Sequence, residues 1–304
     1  MFARATLVAI VAAFVATLLA PTASAYCRAS TCAEGQLCGP PPWDDPTCIP
    51  LAWKRPCVGY SLTAAASADV PLDAAESIVK ASFEAWETAS CDELATTHPS
   101  IHVVDTGPVG CDLVEYNSAG GNANIIAFRD IAWPHPTGPH NIALTTVTYD
   151  NKTGEIYDAD MEINTASFDF TMADDNVQTD LLSVMTHEAG HFLGLAHSEI
   201  PDATMWANYT PGTVDARSLS PDDITLVCTT YEPTSEPVDP ATCNPIPRHG
   251  FSEACLSNQT EGDCSVKRPA ALGHGGPGFA ALLVLGCAAL RRRRLKDQTA
   301  RQHP

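Results

Sequence analysis

The stretch that most constrains this chain is THEAGHFLGLAHS (residues 186–198), which holds three of its ten histidines. On a helix, residues four apart lie on one face, so His187 and His191 present two imidazoles to one point. A third histidine reaches that point only if the helix ends and the chain turns back. Gly194 suits such a turn because glycine tolerates positive φ, and His197 follows it. The pattern therefore predicts a helix, a glycine stop and three converging imidazoles.

This residue set points to metal chemistry. Three neutral imidazoles are a typical ligand set for a catalytic zinc ion, with the fourth position left for water. Zinc lowers the pKa of that water and polarises a bound carbonyl group. Glu188 follows the first ligand, placed to take a proton from the water and pass it to a leaving amine. A structural zinc would normally have four protein ligands, and the sequence suggests no fourth one. We therefore expect one catalytic zinc, held by His187, His191 and His197.

The segment HEAGHFLGLAH matches the pattern HExxHxxGxxH and resembles the metzincin metalloproteases, above all the matrixins, because Ser198 follows the third histidine. Met205 in DATMWANY resembles the methionine that metzincins place in a tight turn under the metal. The resemblance covers roughly residues 50–231, and we take 51–231 as the catalytic domain. It implies an α+β fold with a mixed, twisted sheet of about five strands, an active-site helix and a C-terminal helix. It also implies endopeptidase activity on protein or peptide substrates.

The resemblance carries further expectations. An edge strand above the cleft would pair with an extended substrate, and YDADMEIN (157–164) is expected to be that strand. Matrixins usually have Tyr-Pro after the methionine, whereas Trp206 and Ala207 follow here, so the preference of the adjacent pocket stays open. Asp158 and Asp160 are candidates for a structural calcium site, with plain solvation as the alternative.

Hydrophobic periodicity predicts the elements around the motif. Helices are expected at 71–89, 177–194 and 220–231, and strands at 51–62, 101–105 and 124–128, with a hairpin around 151–154. Ser220, Pro221 and Asp223 fit an N-cap, the first helical position and a capping box. In 157–164 apolar and polar residues alternate, which predicts one buried face and one solvent-exposed face.

Ten cysteines between Cys27 and Cys255 form an even set in a chain expected to be exported, which predicts disulfides. Residues 26–50 are rich in Cys and Pro and are interpreted as a small disulfide-stapled segment. The alternative is an inhibitory pro-segment in which Cys38 caps the metal. The Pro-rich residues 232–263 are interpreted as a linker.

Both ends of the chain carry targeting patterns. Residues 1–25 have a basic start, an apolar stretch and a small-residue cleavage site, as in a signal peptide. Residues 264–304 contain an apolar run followed by four arginines, after a cysteine in DCS (263–265). This tail resembles the sorting tails of myxobacterial-type surface proteins, and a permanent membrane anchor is the alternative. We expect a protein anchored at the outer-membrane surface or secreted after processing, with membrane contact only through the tail.

The part between these ends is strongly acidic. Residues 26–263 keep 8 Lys and Arg against 35 Asp and Glu, a formal charge of −27. Such a body repels nucleic acid and anionic lipid, so neither is expected as a partner. The second interpretation is a surface binding or adhesion protein that keeps the fold and a structural zinc without hydrolysis. The intact Glu188 favours the enzyme, while the sequence does not indicate the substrate or the oligomeric state.

Overall fold

A five-stranded mixed sheet lies at the centre of the structure. The computed structural model describes residues 26–32, 36–41, 43, 47–136, 138, 140–239 and 241–257, so the predicted signal peptide and sorting tail lie outside the described residues. The strands of the sheet are Cys57–Leu62 (β3), His102–Asp105 (β5), Ile125–Phe128 (β6), Ala143–Tyr149 (β7) and Ile156–Ile163 (β8). Their order is β5-β3-β6-β8-β7, and only β7 runs antiparallel to its neighbour. The predicted α+β fold with a mixed sheet is confirmed.

The helices pack against the sheet and against each other. They are Leu72–Glu87 (α1), Leu181–Phe192 (α2), Pro221–Thr230 (α3) and the short Glu253–Ser257 (α4), with a 3-10 turn at Asp215–Arg217. Helix α1 buries Phe83 and Trp86 as its periodicity predicts, and the Trp86 indole donates to Thr186 O of α2 at 2.8 Å. Helix α2 begins four residues later than predicted, because Asp180 is its N-cap and accepts from Ser183 N at 2.8 Å.

Six short strands complete the described secondary structure. They are Cys27–Ala29 (β1), Gln36–Cys38 (β2), His98–Pro99 (β4), Phe170–Thr171 (β9), Thr179–Asp180 (β10) and Pro233–Thr234 (β11). They pair as β1 with β2, β4 with β11 and β9 with β10. Within the described ranges, no helix has the length and apolarity needed to cross a membrane.

Strand β8 differs from its sequence-based prediction in two ways. It lies between β6 and β7, so the prediction that 157–164 is the edge strand is wrong, and the edge is β7. The prediction of a solvent-exposed polar face is also wrong, because its acidic side chains are 1–3% exposed. The Arg129 side chain binds Glu162 at 2.6 Å and Ile125 N donates to Asp160 at 2.7 Å. Residues that lie across this face therefore replace the expected water.

Five disulfides join all ten cysteines of the described part of the chain, as predicted. They are Cys27–Cys38, Cys32–Cys48, Cys57–Cys243, Cys91–Cys228 and Cys111–Cys255. Two of them lie within the segment 26–50, which makes Cys38 a disulfide partner and not a thiol available to cap a metal. Two others fasten the described part of 232–263, interpreted above as a linker, to β3 and to residue 111. Several disulfides fit an extracellular protein.

Candidate metal centre

Helix α2 and the turn after it bring the three histidines of the motif together. His187 and His191 lie one turn apart on α2, and the helix ends at a turn in which Gly194 has a φ of 82°. The turn returns the chain, so His197 faces the other two rings. One ligand nitrogen from each of the three residues lies within 4.8 Å of the others. No other group of three metal-binding side chains occurs among the residues that the structure describes.

Backbone carbonyls orient two of the imidazoles. His187 Nδ1 lies 2.7 Å from Thr204 O, and His191 Nδ1 lies 2.9 Å from Leu195 O. A ring that donates from Nδ1 keeps the lone pair of Nε2 for a metal. The Nε2 atoms of His191 and His197 approach each other to 3.1 Å, as expected for ligands that share one centre. The sequence alone did not identify Thr204 or Leu195 as partners.

The electrostatic environment keeps these rings neutral. Burial lowers the pKa of His187 to about 4, and burial with the neighbouring His191 lowers the pKa of His197 to about 4. Burial also lowers the pKa of His191. Neutral imidazole is the form that binds metal, so at neutral pH the site requires no deprotonation. Three nitrogen ligands with an open side at the exposed His197 fit a zinc ion that keeps one position for water.

Glu188 lies beside the ligands and is bound from the edge strand. Its side chain is 6% exposed, and the Thr145 hydroxyl of β7 donates to its Oε2 at 2.5 Å. Burial raises the pKa of Glu188, while the nearby His191 and the Thr145 hydrogen bond oppose that rise. The carboxylate is therefore a stronger base than an exposed glutamate and keeps one fixed partner. Thr145 was missed in the sequence because this contact spans 43 residues.

Met205 packs directly beneath the helix that carries the ligands. It is fully buried, and a Cβ placed on Gly190 would lie 2.3 Å from its Sδ. Asp223 of α3 fixes the backbone here, since its carboxylate accepts from Thr204 N at 2.7 Å and Met205 N at 3.0 Å. The same carboxylate completes the predicted capping box with Ser220. One acidic residue thus joins the last helix to the turn under the metal centre.

The other sequence-based candidates lie apart from this centre. Asp158 and Asp160 are buried on the far side of β8 from its apolar face, and burial raises the pKa of both. Desolvation of the charged carboxylates is the larger cause, and for Asp160 the charge of its neighbour adds to it. Ile125 N donates to Asp160, and one oxygen of Asp158 has no hydrogen-bond partner. The calcium prediction for these residues remains a prediction.

The metal centre opens into a long cleft of about 990 Å³. Its lining includes the edge strand β7 with the residues before it, and most of the segment 201–210 after the third histidine. The segment 26–50 contributes Ala29, and Leu51 follows it in the lining. Tyr209 also lines the cleft, and its hydroxyl accepts from Asp180 N and donates to Thr213 O, so it is held by the protein.

Comparison with known proteins agrees with this geometry. A sequence model of the matrixin family matches residues 135–232, which contain β7, β8, the three histidines and α3. The chain is 39% identical over 70 residues to neutrophil collagenase of Homo sapiens, a match that covers 23% of this chain and 15% of that protein. It is 45% identical over 73 residues to matrix metalloproteinase-2 of Drosophila melanogaster, covering 23% of this chain and 10% of that protein.

The matched region therefore spans less than a sixth of the length of these curated relatives. The match to the matrixin family model falls on the part of the chain that carries the three imidazoles and the strand beside them. The mixed sheet, the helix with two of the histidines and the final helix are consistent with an α+β metzincin catalytic domain. Together, the similarity to matrixins and the converging histidines fit a site for one zinc ion.

Proposed function

We propose that this chain is an exported zinc-dependent endopeptidase that hydrolyses peptide bonds in protein or peptide substrates. The observation that carries the proposal is the convergence of His187, His191 and His197 beside a buried Glu188 in an open cleft. The histidines would hold the zinc ion, with Gly194 and Met205 as structural residues of the site. The chemistry supplied by a bound zinc ion is the activation of a water molecule and the polarisation of a carbonyl group.

The role of Glu188 follows from its surroundings. Its carboxylate accepts the proton that the attacking water loses, on an oxygen that burial has made more basic. The protonated carboxyl group then returns this proton to the leaving amine. The Thr145 hydroxyl holds Oε2 at 2.5 Å and so keeps the carboxylate in one orientation through both transfers. Proton transfer by one positioned side chain contributes roughly 10²–10⁴-fold to a rate.

The edge strand supports an extended peptide as the substrate. Strand β7 pairs with β8 on one side only, and residues 143–145 and 147 line the cleft. Its outer backbone groups are available to add a strand of substrate, and such pairing binds any sequence through the main chain. The proposed edge is thus β7 in place of the strand 157–164 named from the resemblance.

The proposal also covers location and domain organisation. Five disulfides support an extracellular protein, in agreement with a signal peptide at 1–25. We take 51–231 as the catalytic domain and 264–304 as the tail that anchors the protein at the cell surface or is removed. Its partners are then protein or peptide substrates.

The test is casein hydrolysis by the protein expressed from the full-length chain, with zinc content measured on the same samples. Glu188→Gln should retain one zinc and lose roughly 10²–10⁴-fold in kcat. Glu93→Gln is the matched control, since it removes one exposed carboxylate and should leave kcat unchanged. Zinc-bound wild type without hydrolysis of casein or of a peptide library would refute the proposal and favour a binding protein with a structural zinc.

A further inference from the structure

The Cys-rich N-terminal segment, residues 26–50, has its strand β1 beside the turn that precedes the third histidine. Its strand β1 forms an antiparallel bridge between Arg28 and Leu195. Ala29 N donates to Gly194 O at 3.1 Å, and Ala196 N donates to Cys27 O at 2.9 Å. The two hydrogen bonds flank the bridge. Strand β1 therefore pairs with the whole turn between helix α2 and His197.

The turn that pairs with β1, residues 194–196, positions two of the proposed metal ligands, His191 and His197. Leu195 O is the acceptor for His191 Nδ1 at 2.9 Å, and Ala196 is covalently joined to His197. A shift of this turn would move the orienting carbonyl of one ligand and the backbone of another. Outer partners of metal ligands typically change metal affinity by 10–100-fold when they are lost.

Strand β1 is itself firmly fixed in the fold. Tyr26 is 2% exposed and Cys27 is fully buried. The Cys27–Cys38 disulfide ties β1 to β2, and Gly39 N donates to Tyr26 O at 2.8 Å. Leu51 N also donates to Ala29 O at 2.7 Å. Strand β1 is thus hydrogen-bonded both to the turn 194–196 and to the first residue of the expected catalytic domain.

We propose that residues 26–50 are a permanent positioning part of the metal centre and not a removable or inhibitory pro-segment. Through β1 they hold the turn 194–196 in the arrangement that points His191 and His197 at one metal ion. Ala29 also lines the cleft, so the same segment forms part of its wall. The inference rests on the proposed zinc site but does not require that the protein hydrolyses peptides.

The first test is the N-terminal sequence of the zinc-bound protein isolated from secreting cells. Retention of residues 26–50 is the expected result. A zinc-bound protein that begins beyond residue 50 would overturn the inference, whether or not it hydrolyses peptides.

The second test is zinc affinity, measured by competition with a chelator at a temperature where each variant is folded. Replacing both Cys27 and Cys38 by Ser removes the disulfide that joins β1 to β2 and should weaken zinc binding by roughly 10–100-fold. Replacing both Cys111 and Cys255 by Ser is the matched control, because that disulfide lies in a separate apolar cluster. Equal zinc affinity in the two double variants would contradict the proposal.

A third measurement uses the wild-type protein, and it tests the proposal even if the Cys27/Cys38 double variant does not fold. Zinc should slow hydrogen exchange of the Ala29 and Ala196 amides, because opening of this pairing and loss of the metal are coupled. The Asn122 amide, which donates to Gly250 O at 3.0 Å, serves as the remote control and should not change. Exchange at Ala29 and Ala196 that does not respond to zinc would refute the coupling. If these responses appear and casein is not cleaved, the proposed function fails while the inference stands.

Discussion

Replacing Gly190 by alanine tests how tightly the ligand helix packs on the methionine beneath it. A Cβ at this position would lie 2.3 Å from Met205 Sδ and 2.9 Å from Trp86 Cζ2. Trp86 is fully buried and its indole is fixed by the 2.8 Å bond to Thr186 O. The flexible side chain of Met205 must therefore shift. The backbone of Met205 is fixed, because Asp223 accepts a hydrogen bond from Met205 N.

The size of the effect follows from two opposing contributions. In an open helix, glycine to alanine stabilises by about 1 kcal/mol. Forcing an extra methyl group into a packed core costs about 1–3 kcal/mol, so Gly190→Ala should destabilise the protein by up to about 2 kcal/mol. Met205→Ala alone should cost about 2–5 kcal/mol through the cavity that it leaves. In that background the 2.3 Å contact with Met205 is absent and only the 2.9 Å approach to Trp86 remains, so the alanine at 190 should cost less or become stabilising.

The assay is urea unfolding of the metal-free protein with its disulfides intact, followed for both single variants and the double variant. Metal-free samples are needed because zinc binding adds a linkage term to the stability of the native state. We expect a coupling free energy of about 1–3 kcal/mol in favour of the double variant. Additivity of the two substitutions within about 0.5 kcal/mol would refute the packing argument. So would a Gly190→Ala protein more stable than wild type.

The remaining predictions concern buried polar groups. Thr145→Val removes the hydrogen bond to Glu188, and kcat should fall about 10-fold with zinc retained, as expected for loss of a bond to a charged group. An unchanged kcat in a steady-state assay would show that Thr145 does not position the base. Burial raises the pKa of Asp158 and Asp160 above their unfolded values, so the stability that their protonated forms contribute is lost as pH rises through the raised pKa. The unfolding free energy, measured by urea from pH 5 to 9, should therefore fall with pH less steeply in Asp158→Asn, and equal slopes would contradict this account.

Short-range patterns in the sequence were sufficient to predict the helices and the turn between His191 and His197. The capping box at Ser220 depends on residues three apart, and the structure contains both of its hydrogen bonds. The periodicity of 71–89 places Phe83 and Trp86 on one face, and both are buried. Gly194 adopts positive φ where the motif requires a turn. Each of these features depends on neighbours within about one or two helical turns, so the sequence pattern contains the needed information.

The supporting contacts of the metal centre could not be predicted in the same way. Asp223 caps its own helix and also binds the backbone of Thr204 and Met205, which lie 19 and 18 residues earlier in the chain. Thr145 reaches Glu188 from a strand that is 43 residues away. Such pairs form only after the sheet and helices have packed, and no periodicity marks them. The same is true of β1, whose partner turn lies far along the chain.

Strand β8 shows why alternation alone does not assign a face to solvent or a strand to an edge. Alternation of apolar and polar residues separates the two faces of a strand. Whether the polar face is exposed to solvent depends on the residues that cover it, and here Arg129 binds Glu162 on that face. The hairpin of β7 and β8 places one of its strands at the edge, and the choice depends on which of them pairs with β6. Parallel pairing of Ile126 with Met161 makes β8 internal and leaves β7 beside Glu188. Pairing with β6 thus decides which strand of the hairpin is the edge, while the side chains that cover the polar face of β8 decide that its acids are buried.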